Sequence, residues 1–93
     1  MLVGLFQFEL MLSQCDSLKA KRLVLKSLKT RIQNKFNVSV AEVEYNEKWQ
    51  RTVLGMAIVS NEKKFIDKTY NQIFNLIDEN DQSEIVDQQV EII

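Results

Sequence analysis

The sequence predicts an α+β sandwich: one four-stranded antiparallel sheet carrying two helices on a single face. Three observations predict it. Strand-like and helix-like segments alternate in the order β-α-β-β-α-β. The second and third strands are separated by a short turn, which makes a hairpin, whereas each β-α-β passage is a right-handed crossover. The first and third strands are the most apolar, as the central strands of such a sheet are. At 93 residues the chain reads as one domain, 1–93, burying about 60–65% of its unfolded surface.

Residues 2–12 alternate. Leu2, Gly4, Phe6, Phe8, Leu10 and Leu12 lie on one face, and Val3, Leu5, Gln7, Glu9 and Met11 on the other. This is strand β1, with the Phe6 and Phe8 face inward. Residues 13–17 read as a loop, in which Asp16 or Ser17 can cap the next helix. Residues 18–35 follow a helical period and form α1. Leu18, Val24, Leu25, Leu28, Ile32 and Phe36 gather on its apolar side, and Asn37 ends it.

VSVAEV at 38–43 has strand composition and is β2. Tyr45–Lys48 is a natural turn, and 49–60 is the long, apolar β3. If that turn sets the register, Glu42 faces Arg51 and Glu44 faces Trp49, which makes a cross-strand charge pair of Glu42 and Arg51. Ser60 or Asn61 caps α2, whose apolar residues run from Phe65 to Ile77 at spacings of mostly three and four. Residues 83–93 form β4. Two βαβ units joined by a hairpin make the split-βαβ, ferredoxin-like sandwich.

Several chemistries are excluded by composition. The chain has no histidine, so the commonest general base and metal ligand are missing. One cysteine, Cys15, cannot make a zinc or iron–sulfur site within a chain. Two distant glycines, Gly4 and Gly55, make no phosphate-cradling loop. We therefore expect no metal, no cofactor, no catalytic residue and no enzyme. A lone thiol and the absence of a signal-peptide pattern or an 18-residue apolar run predict a cytoplasmic protein without a membrane segment.

The segments SLKAKR (17–22), SLKTR (27–31), FNVSVAEV (36–43), WQR (49–51), LG (54–55) and VS (59–60) resemble the YlxP-like family of bacterial proteins, a domain of unknown function. The resemblance runs over essentially the whole chain. It implies a cytosolic protein of ferredoxin-like fold, often encoded beside translation-initiation and ribosome-maturation factors, and hence an association with RNA or the ribosome. It brings no catalytic residues. In the turn, Glu44–Lys48 replaces a more Gly/Asp-rich version, so nothing is carried over there.

Charge is distributed unevenly. Residues 17–41 hold seven basic side chains and no acidic one, while the rest of the chain holds five basic and thirteen acidic. On α1, Lys19, Arg22, Lys26 and Lys29 fall within roughly an 80° arc beside the apolar side. Arg31 borders that side on its other flank, and Lys21 and Lys35 fall within it near the helix ends, where long stems snorkel to water. The stripe works against helix stability. Its three like-charge neighbours cost on the order of 1 kcal/mol, and its first members sit where the helix dipole favours anions. Three readings follow: a solvated or internally paired face, with the acidic residues of 78–91 as the internal partner; a protein partner; or a polyanion such as RNA, whose phosphates the four cations would position.

The open face of the sheet is expected to show Val3, Leu5 and Met11 and one apolar side of β3, a patch that suits a two-fold homodimer. Trp49 and Arg51 are further interface candidates. Base stacking on the sheet is not expected, since β3 carries no aromatic residue after Trp49. The leading reading is a non-enzymatic protein that binds RNA or the ribosome through α1. The alternatives are a small oligomeric regulatory or ligand-binding module, and an enzyme of acylphosphatase type, which would need an arginine in the SQCDS loop that is not there.

Overall fold

The computed structural model describes residues 1–93. Its elements are β1 (Leu2–Met11), α1 (Leu18–Lys35), β2 (Ser39–Glu44), β3 (Arg51–Ser60), α2 (Lys63–Asp78) and β4 (Glu84–Ile92). All strands pair antiparallel in the order β2-β3-β1-β4. The expected ferredoxin-like sandwich is therefore present, with β1 and β3 central.

The alternation of β1 sets the layers. Phe6, Phe8, Leu10 and Leu12 are buried against the helices, opposite Met56, Leu54 and Thr52 of β3. Leu25, Leu28 and Ile32 of α1 and Ile66, Ile73, Leu76 and Ile77 of α2 close the core from above. Tyr70 meets Phe6 edge-on at 5.3 Å and stacks on Phe8 at 5.6 Å. Burial among these rings pushes the Tyr70 phenol up. α1 packs on β2, while α2 covers β1, β3 and β4. No helix is long and apolar enough to cross a membrane.

Helix α1 has the expected limits because its start is chemically marked. The Ser17 hydroxyl accepts the Ala20 N–H at 3.0 Å. The helix stops at Phe36, one residue before Asn37, where the backbone turns extended. Helix α2 departs from expectation. It begins at Lys63 with Glu62 as its cap residue and no side-chain cap bond, and the Ser60 hydroxyl accepts the Glu62 N–H at 3.1 Å. Ser60 thus shapes the approach to the helix rather than its first turn.

Gly4 shows how closely the layers approach. A Cβ there would sit 2.6 Å from Cγ2 of Ile66 and 3.0 Å from Cγ2 of Ile58. Gly4→Ala is expected to destabilise by about 1–3 kcal/mol, as overpacked cores do. A lowered urea midpoint checks this, and an unchanged one would mean that Ile66 moves aside freely.

The β2–β3 hairpin differs most from its predicted form. Lys48 N–H does bond the Tyr45 carbonyl at 3.0 Å, but the loop continues through Gln50 and β3 starts at Arg51. Glu42 lies opposite Leu54, not Arg51, and Glu44 lies opposite Val53, not Trp49, with a bulge between Glu42 and Glu44. An odd shift in register exchanges the faces of the sheet. Glu42 therefore points to the helices and Arg51 stands on the open face.

That inversion explains Lys21, which does not snorkel to water. It is 1% exposed. Its ammonium pairs with Glu42 Oε2 at 2.7 Å and donates to the Tyr45 carbonyl at 2.6 Å. Buried Thr52 donates its hydroxyl to the same Glu42 oxygen at 2.6 Å. Tyr45 itself has φ +62°, a left-handed conformation that few bulky residues adopt.

Candidate nucleic-acid interface

The four cations Lys19, Arg22, Lys26 and Lys29 share one flank of α1, the first three exposed and Lys29 half-buried. None pairs with an acid: the three ion pairs of the chain are Lys21–Glu42, Arg51–Glu9 and Lys63–Asp67. The helix has no acidic residue in its first turn. Arg31 and Lys35, on the other flank, line a groove of about 490 Å³ that runs to Gln72 and Asn75 of α2 and to Glu79 just past its end. The stripe accordingly faces away from α2, above the edge strand β2.

Of the acidic residues at 78–91, Glu79 shares the groove of Arg31 and Lys35, whereas those of β4 lie elsewhere. Glu84, Asp87 and Glu91 stand opposite Met11, Glu9 and Leu5, so they project from the open face, on the edge strand far from β2. The acidic terminus does not neutralise the stripe within one chain. Six of the seven α1 cations remain free of acidic partners, Lys21 being the exception.

The interface candidates divide into two groups. Trp49, Arg51 and Met11 come together, with Lys48 and Gln50, around a groove of about 370 Å³ at one end of the open face. Arg51 donates to Glu9 Oε2 at 2.6 Å and lies over the Tyr45 ring at 4.3 Å. The bond to Glu9 raises its already high pKa further. Val3 and Leu5 sit towards the other end of the face, opposite Val59 and Ala57. Leu5, with Ala41, Val43 and Gly55, borders a second groove of about 330 Å³, which Val3 does not reach. The inward rings of Phe6 and Phe8 are fully buried, so neither offers a base a surface.

Cys15 lies in the loop between β1 and α1 with its side chain buried in the core. Burial pushes its pKa up, the Asp16 charge adds to this and the Lys21 charge opposes it. The fold thus favours the neutral thiol, and its contribution to stability holds below the ordinary thiol range and fades as pH rises beyond it. Cys15 is expected to react with a disulfide reagent at pH 8 far more slowly in the native protein than in urea; equal rates would contradict its burial. No three potential metal-ligating side chains gather anywhere in the chain.

Comparison with known proteins matches residues 3–90 to a family described as "Protein of unknown function (DUF503)". The chain belongs to this family. It is also 42% identical over 77 residues to the uncharacterized protein YlxP of Bacillus subtilis (strain 168), covering 83% of this chain and 84% of that protein. The DUF503 match spans all six elements, and with them the stripe, the hairpin and the buried Lys21–Glu42 pair.

Sequence reasoning missed that pair and the groove between α1 and α2. The pair did leave a signal. Val38, Val40 and Glu42 share one phase of β2, and Lys21 shares the phase of Leu25, Leu28 and Ile32. A cation and an anion that each fall on an apolar phase are candidates for one another.

Proposed function

We propose that this DUF503 protein is a non-enzymatic, cytosolic RNA-binding protein that engages the phosphate backbone through Lys19, Arg22, Lys26 and Lys29, in keeping with the ribosome association implied by the family resemblance. The observation that carries the reading is the flank itself: four cations without acidic partners, the first two of them at the end of the helix where the dipole favours the opposite charge. Such contacts position a nucleic acid without reading its sequence. Pull-down from lysate tests this. Ribosomal material should be captured at low salt and lost on ribonuclease treatment or at high salt. Capture that survives both would assign the stripe to a protein partner.

A second reading, an oligomeric regulatory module, draws support from the open face, where Val59 is 61% and Val43 48% exposed. A two-fold dimer that packs these residues would cover them. Sedimentation at high micromolar concentration is expected to give twice the chain mass under this reading, and a monomer removes it.

A further inference from the structure

We propose that Trp49 is a stacking platform for an unpaired base of the same RNA strand whose phosphates lie on the α1 stripe, a proposal that rests on the reading above. Trp49 is 53% exposed and borders the groove with Met11, Lys48, Gln50 and Arg51. Proteins that hold single strands combine a cationic track with aromatic faces on which bases stack, and the stacking is tolerant of sequence. The sheet offers no such face, because Phe6 and Phe8 are buried. The turn does.

The turn is also braced by hydrogen bonds. Gln50 donates its side-chain amide to the carbonyls of Ser13 and Cys15, both at 3.2 Å, and its own carbonyl accepts the Leu12 N–H at 2.9 Å. Lys21 holds the Tyr45 carbonyl at 2.6 Å from the other side. A tryptophan carried on a braced turn loses little freedom on binding.

The same contacts join the turn to the stripe. Lys21 reaches the turn from α1, and its neighbours along the helix are Lys19 and Arg22, the first cations of the stripe. The start of α1 and residues 45–50 thus lie at the same end of the fold, so a strand that follows the stripe and turns round that end of the sheet reaches Trp49. Arg51 is already engaged by Glu9 and Tyr45, so Lys48, which shares the lining with the acidic Glu47 but is not paired with it, is the cation left to meet a phosphate beside Trp49. A base lying on the indole cannot also be stacked in a duplex, which makes the ligand single-stranded at this point.

Because the chain has one tryptophan, its emission reports on this site alone. The native protein is titrated with a single-stranded RNA oligonucleotide, with the same strand in duplex, and with heparin, which has charge but no bases. The expected result is quenching by the single strand only, with heparin bound but silent. Trp49→Ala should weaken single-strand binding roughly 5- to 150-fold and leave heparin binding unchanged. Single-strand binding with unaltered emission and full affinity in Trp49→Ala would overturn the platform and leave the stripe standing. Failure to bind either RNA or heparin would remove the stripe reading, and the platform with it. Emission that shifts with protein concentration alone would assign Trp49 to a contact between copies and overturn the proposal.

Discussion

Glu42→Leu is expected to destabilise the fold by about 3–5 kcal/mol, because it strands the buried Lys21 ammonium with only the Tyr45 carbonyl for company. In a domain of this size such a loss lowers the thermal midpoint by more than about 12 °C. Lys21→Met should cost less, about 1–3 kcal/mol, since Glu42 is 16% exposed to water and keeps the Thr52 hydroxyl. The double variant Lys21→Met/Glu42→Leu replaces a charged pair by two apolar side chains and should return to within about 1 kcal/mol of the native protein. Denaturation midpoints of the four proteins close the cycle. If the double variant loses the sum of the single effects, the two residues act independently and the pair does not lock the hairpin onto α1.

Replacing Lys19, Arg22, Lys26 and Lys29 together by glutamine is expected to act on binding and stability in opposite directions. Three like-charge neighbours disappear, and two cations leave the positive end of the helix dipole. The variant should gain on the order of 1 kcal/mol, or about 4–8 °C in midpoint, while its affinity for RNA collapses. Loss of binding in a protein that is more stable than its parent is not explained by misfolding. A variant that is less stable and still binds would mean that the cations serve the fold, through contacts other than ion pairs.

The layers of this fold are legible in the sequence because they depend on periodicity. Phe6 and Phe8 alternate with Gln7, and the inward face of β1 follows directly. Ser17 stands where a cap is needed, so α1 begins where expected. Even the stripe needs only a helical wheel, though its freedom from acidic partners depends on β4 pairing with β1, on the edge away from β2. The hairpin register was not legible. It depends on a bulge after Glu42 and on a left-handed Tyr45, a residue that gives none of the Gly or Asn signal such a backbone usually carries. Once the register moves by an odd number, Glu42 turns inward and finds Lys21, and Arg51 turns outward and finds Glu9. One unread turn therefore redistributes two ion pairs and sets the position of Trp49.

The salt dependence of RNA affinity tests the central claim most directly. Fluorescence anisotropy of a labelled single-stranded oligonucleotide is measured across a series of salt concentrations, with the native chain and with the four-glutamine variant. Four phosphate contacts to a single strand predict a slope of log affinity against log salt of roughly −3, falling towards zero in the variant. A native slope near zero, or a variant that matches the native protein, would contradict the assignment of α1 as the RNA-binding surface.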